Sequence, residues 1–188
     1  MRCHIIVSGI PASGKSTVGR MIAAALDLPL LDKDEFLETM FDEQGVGDAQ
    51  WRTRLSRAAD DVLREKALRS DSAVITSWWC HPASHVESGT PVEWLSSLPG
   101  ILIELYCICS PQIAAERFLS RKRHQGHLDH SKARAEVLAS FAAQAALGAL
   151  GIAPVVKVNT ERDVNLNRLL AEVDLAAAGD RVFPKMLC

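Results

Sequence analysis

The chain has 188 residues with 48% apolar and 23% charged side chains, an ordinary globular balance in which a single domain spanning 1–188 is the default. A formal net charge of −2 argues against bulk nucleic acid as the partner, and no run approaches about 18 uninterrupted apolar residues, so no membrane span is expected. Five cysteines, odd in number and set in or beside apolar runs, read as reduced thiols in a cytoplasmic setting. The opening ten residues are too short and too polar for a signal peptide.

In chain order, residues 4–8 form a first apolar strand that stops at Gly9. The next stretch is Gly9-Ile10-Pro11-Ala12-Ser13-Gly14-Lys15-Ser16, and a helix opens near Gly14. Glycines at these positions let consecutive backbone N–H groups turn inward where a Cβ would obstruct them, and the helix N-terminus adds its positive dipole end. Such a loop between strand and helix is a phosphate cradle. Gly9, Ala12, Ser13 and Gly14 form it, Lys15 reaches the β- and γ-phosphates, and the Ser16 hydroxyl suits Mg²⁺. Thr17 is the last residue of the nucleotide-binding run, with its side chain expected toward the core.

A brief second strand over 28–32 leads into Asp32-Lys33-Asp34-Glu35, at the edge of the sheet where ligands bind. Asp34 is the candidate general base there, while Asp32 with Glu35 makes a capping-box pattern for the helix that follows. Residues 36–69 form the acceptor-side helical region. Within it Leu55, Ala59, Leu63 and Ala67 share one face and Arg52, Arg54 and Arg57 lie elsewhere, available to an anionic acceptor or to solvent. A third strand over 73–78 ends at Trp78 and Trp79, of which one should face the pocket by strand alternation; Trp94 follows beyond a loop at 82–91. A fourth strand covers 101–108. Ser110 as N-cap and Pro111 at N1 begin a helix to about 119.

That helix carries Arg117 and Arg121 one turn apart, a pair able to grip a polyphosphate or stack on a base. Residues 121–132 then read as a mobile cover closing over the nucleotide. His124, His127 and His130 within it read as polar loop contacts in preference to a metal site, and Cys80, His81 and His85 are read the same way. A helix over 131–150, a fifth strand at 154–159, a helix over 163–177 and a terminal extension at 181–188 complete the chain. Repeated β-α order with apolar strands implies an α/β fold, helices covering both faces of a parallel sheet in three αβα layers.

The phosphate loop, Asp34 and the segment Glu116-Arg117-Phe118-Leu119-Ser120-Arg121 with Gly126-His127-Leu128-Asp129 resemble small P-loop kinases of the nucleoside- and nucleotide-kinase superfamily. Polynucleotide 5′-kinase domains, chloramphenicol phosphotransferase, zeta-toxin kinases and gluconate or shikimate kinases are broadly similar. The resemblance implies a five-stranded parallel sheet in the order 2-3-1-4-5 with an Arg-bearing lid, ATP and Mg²⁺ as cofactors, Arg117 near the adenine and Arg121 near the phosphates. It also places residues 159–161 along the base. Two departures stand out. Val74-Ile75-Thr76-Ser77 has no Asp at the Walker B position, so metal falls to Ser16 with Asp34 or Asp32; and Leu37 stands where polynucleotide kinase domains carry an Arg.

The expected activity is γ-phosphoryl transfer from ATP to a hydroxyl of a small-molecule acceptor, with Lys15, Asp34 and Arg121 catalytic. A polynucleotide or nucleotide kinase is the alternative enzyme, in which nucleic acid enters only as acceptor. A regulatory nucleotide-binding switch is the reading from another class. No membrane partner and no particular oligomeric state are implied.

Overall fold

The computed structural model describes residues 2–86, 88–129 and 133–182. Its centre is a five-stranded sheet of β1 (Cys3–Ser8), β2 (Leu30–Asp32), β3 (Ala73–Thr76), β4 (Ile101–Ile108) and β5 (Val155–Asn159). Every pairing is parallel and the order is β2-β3-β1-β4-β5, as the resemblance implied.

The sequence explains the layers. Alternate β1 residues point to opposite faces, so Ile5 and Val7 meet Val18 and Ile22 of α1 (Lys15–Leu26) and Leu169 and Val173 of α6 (Leu166–Val182). Ile6 and Ile75 point the other way, onto Leu63 and Ala67 of α3 (Ala49–Arg69). β5 lies at the sheet edge and alternates exposed with buried residues, whereas every β3 residue is buried. Two further clusters build the ligand end. α2 (Lys33–Gln44) packs Leu37 and Phe41 against Leu55 and Ala59 of α3. α4 (Pro111–Ser120) and α5 (Arg134–Leu147) close around Phe118 and Phe141, whose rings meet edge-on at 5.5 Å.

Several boundaries differ from the sequence expectation. α2 starts directly after β2, because the Asp32 carboxylate caps it by accepting from the Asp34 N–H; Glu35 takes no part. Ser110 does stand at the N-cap of α4, yet its side chain makes no capping bond. A 3₁₀ turn over Glu93–Ser97 was not foreseen. The end of the expected lid at 130–132, with His130 and the first residue of the expected helix Ser131, lies outside the described residues, as do 183–188 of the extension with Cys188. Cys3, Cys80, Cys107 and Cys109 are free thiols. No described helix is long and apolar enough to cross a membrane.

Candidate active site

The loop after β1 is held open by backbone conformations that only certain residues tolerate. Gly9 has φ 133° and Gly14 φ 89°, both left-handed, and a Cβ at Gly9 would lie 2.6 Å from the Cys107 carbonyl oxygen. Ala12 also sits at positive φ, 60°, a strain more often found at ligand loops than elsewhere. The Thr160 hydroxyl, just past β5, donates to the Ser13 carbonyl at 2.6 Å and ties the far edge of the sheet to the loop. Ser13 is fully buried, and its Oγ has no partner among the described residues.

Lys15 Nζ donates to the carbonyls of Gly9 at 3.0 Å and Ile10 at 2.9 Å. Burial pushes its pKa down to about 8, against the opposing pull of Asp34 and Asp32. Ser16 Oγ donates to Asp32 Oδ2 at 2.8 Å. The Asp32 pKa is raised by burial and by the neighbouring Asp34 charge, while the Ser16 hydroxyl and Asp34 N–H bonds oppose the rise. A hydroxyl paired with a buried carboxylate is a hard oxygen donor set, and it fits a Mg²⁺ ion or its bound water. Among the described residues no cluster of three His, Cys, Asp or Glu could hold a metal by protein ligands alone.

Ala12, Gly14, Lys15 and Ser16 line a cavity of about 820 Å³ together with Asp34, Arg117 and Arg121. Gly9 and Ser13 are structural members of the loop that do not border this space. Thr17 corrects an expectation: its side chain is exposed and lines the cavity instead of entering the core. On the cavity wall Arg117 donates to the Thr160 carbonyl at 2.8 Å and reaches Cys109 Sγ at 3.6 Å. The wall beyond β5 is formed by Thr160 and Arg162 to Val164, so of residues 159–161 Thr160 lines the cavity. Glu161 instead accepts from the Ser110 N–H at 2.7 Å.

The lid segment is docked onto α2. Arg123, only 17% exposed, pairs with Asp34 and also with Asp129 at 3.1 Å, and Arg121 reaches the same Asp129 oxygen at 3.5 Å. Arg121 lies over the Phe118 ring at 4.7 Å, and its Nε is buried without a partner among the described residues. His127 is fully buried; its Nε2–H donates to Glu38 at 2.8 Å, and burial lowers its pKa, aided by the Arg123 charge. His124 accepts from the Gly126 N–H, turns Nε2 to Asp42 at 3.3 Å, and stacks on Phe41 at 5.2 Å. These histidines are therefore polar contacts of the lid.

Among the α3 arginines, Arg52 lines the cavity, Arg54 is exposed, and Arg57 is spent on Asp60 and the Gly89 carbonyl. Trp78, 39% exposed, faces the cavity, while Trp79, 5% exposed, enters the core and donates to the Val7 carbonyl at 2.9 Å. Ser77 lines the cavity with its hydroxyl paired to Thr90. Lys33 turns away from the cavity into a buried pair with Asp60 at 2.6 Å that fastens α2 to α3. Sequence reasoning named neither Arg123, Glu38 nor Asp60 for these roles. Asp60 had a signal, since it interrupts the apolar face of α3 beside Ala59 and Leu63.

A family model described as an AAA domain matches residues 5–147. A shikimate kinase of Rhodococcus jostii (strain RHA1) is 35% identical over 75 residues, 38% of this chain and 43% of that enzyme, so the match spans less than half of the relative's length. A crystal structure from Chloroflexus aurantiacus j-10-fl, of a protein presumed to be a kinase, superposes with TM-score 0.74 at 27% identity over 93% of this chain and 97% of that one. A gluconokinase of Sinorhizobium meliloti 1021 shares the fold, with TM-score 0.54 at 19% identity over 95% and 93% of the two chains. With the phosphate loop, sheet order and matched span in agreement, the chain belongs to this P-loop family of AAA domains.

Proposed function

We propose that the protein is an ATP-dependent kinase that transfers the γ-phosphoryl group to a hydroxyl of a small-molecule acceptor. The observation that carries this reading is the placement of the Asp34 carboxylate on the wall of the same cavity as Lys15 and the phosphate loop. A nucleotide switch needs the loop and one carboxylate for its metal, a part Asp32 can fill, whereas a second carboxylate on the same wall suits an acceptor's proton.

The residues take the following roles. Backbone N–H groups of residues 12–16 and the α1 N-terminus hold the phosphates, with Lys15 neutralising the β- and γ-oxygens. Ser16 and Asp32 would hold Mg²⁺, which when bound neutralises charge between those phosphates. Arg117 borders the adenine and Arg121 the γ-phosphoryl group. Asp34, released from Arg123, accepts the acceptor's proton as the acceptor oxygen forms its bond to the γ-phosphorus. The bond from the γ-phosphorus to the β–γ bridging oxygen breaks, ADP leaves with that electron pair, and the proton passes from Asp34 to solvent. Leu37 is packed into the α2–α3 core and offers no cation to a polynucleotide, which favours the small acceptor.

The test incubates the purified chain with Mg·ATP and a panel of alcohols, sugars, nucleosides and 5′-hydroxyl oligonucleotides, and follows ADP release. At least one small alcohol or sugar is expected to stimulate release, and Lys15→Ala is expected to remove it. Stimulation by oligonucleotides alone would replace the acceptor class, and no stimulation by any acceptor would sink the reading.

A further inference from the structure

Behind the phosphate loop lies a second cavity of about 390 Å³, bounded by Ile10, Trp78, Val86, Ala143 and Leu147. It is continuous in its walls with the main cavity, since Trp78, Ser140 and Gln144 border both. Trp78 Nε1–H donates to Gln144 Oε1 at 2.9 Å, and Gln144 Nε2 donates to Ser140 Oγ at 3.0 Å, so the partition between the two spaces is a Trp ring held by one amide.

Two features define the chemistry of this space. First, three of the nine large hydrophobic side chains that stay exposed among the described residues, Trp78, Val86 and Leu147, converge on it. Scattered exposed apolar residues need no explanation, but a convergent set around a concave site marks a binding surface. Second, apart from His85 and Ser88, the polar side chains that line it are bonded within the protein. His81 Nε2 bonds the Ala149 carbonyl at 2.9 Å and its Nδ1 accepts from the Ala83 N–H at 3.0 Å. Ser84 Oγ donates to the Val86 carbonyl and accepts from the Val86 N–H, both at 3.1 Å. No Lys, Arg, Asp or Glu is among the described residues that line it. What a ligand meets is mainly apolar surface and the face of an indole, with the His85 imidazole and the Ser88 hydroxyl also on the wall, in a volume typical of small-molecule sites.

We propose that this second cavity holds the apolar, aromatic body of the phosphoryl acceptor, with its hydroxyl reaching past Trp78 into the main cavity toward Asp34. The proposal rests on the kinase reading above and names its substrate class: an uncharged aromatic alcohol rather than a sugar acid or polyol.

The probe is 2-naphthalenemethanol, a primary alcohol on a flat bicyclic ring, titrated calorimetrically into the full chain with Mg²⁺ and a non-hydrolysable ATP analogue present. Ala143→Trp fills the cavity from an exposed helix position, and Leu147→Glu places a charge at its rim without enlarging a core side chain. Each variant is expected to weaken the probe roughly tenfold or more while nucleotide affinity stays within about twofold. The wild type is also expected to release ADP from Mg·ATP in the probe's presence. Failure of the wild type to bind the probe, or equal binding by both variants, overturns the proposal. If polyols or sugars drive ADP release under those same conditions, the kinase reading stands without it. Probe binding with no ADP release from any alcohol overturns the acceptor assignment and the kinase reading together.

Discussion

Two opposing influences act on the Lys15 ammonium. Burial pulls its pKa to about 8, and the nearby Asp32 and Asp34 charges only partly offset this. A bound triphosphate would add negative charge beside it and raise the pKa again. The sign follows directly. Above pH 8 the free protein has lost the Lys15 proton while the complex keeps it, so binding takes up a proton and affinity falls with rising pH, by up to about tenfold per pH unit. Calorimetry in two buffers of different ionisation enthalpy should show that uptake at pH 9 and little of it at pH 7; equal proton counts at both would contradict the assignment. The placement of Lys15, Ser16 and Asp34 on one cavity was legible because each stands just past a strand, at the ligand edge of the sheet. Arg123 and Glu38 were not, because their partners Asp34 and His127 each lie 89 residues away in sequence. A run of cations after α4 gives no hint of which one meets a carboxylate on α2.

The lid and α2 meet along a regular stripe. Asp34, Glu38 and Asp42 fall four residues apart on one face of α2 and pair with Arg123, His127 and His124. Phe41 fills the centre, stacked on Trp51 at 5.2 Å and on His124, and edge-on to His127 at 5.3 Å. Gly126 makes this approach feasible, since a Cβ there would lie 2.4 Å from the Phe41 ring. Phe41→Ala should therefore cost about 3–5 kcal/mol in urea unfolding, the range for truncating a buried aromatic. A loss below about 1 kcal/mol would mean the lid and α3 do not depend on this ring. The α2 carboxylates stand in the sequence at a spacing of four, but the surface they meet does not: a cover over the nucleotide was expected, and the segment is found paired with Asp34 on the cavity wall.

Across the whole molecule, the order of strands and helices was readable because each strand is a short apolar run and each crossover a helical period, both local signals. What holds the layers in register is less local. Glu104 lies in the apolar run of β4, fully buried, and accepts from Ser8 Oγ on β1, Leu150 N at 2.8 Å and Gly151 N at 2.9 Å. It thereby fixes the connection between α5 and β5 to the centre of the sheet. Glu104→Leu leaves those donors without their acceptor and is expected to lower stability by about 2–4 kcal/mol. An unchanged melting transition would show that the loop has other anchors. The sequence carried the anomaly, a lone carboxylate in an apolar strand, but not its partners 46 and 47 residues further on.

The kinase proposal has the γ-phosphoryl group leave ATP for an alcohol oxygen under the control of Lys15 and Asp34. The most direct measurement is ³¹P NMR of the chain turning over Mg·ATP with a stimulating acceptor from the panel. A phosphomonoester resonance should grow in step with ADP, and Asp34→Asn should slow it by about 100-fold or more while nucleotide affinity holds. Growth of inorganic phosphate alone, at a rate indifferent to every acceptor and to Asp34→Asn, would contradict it.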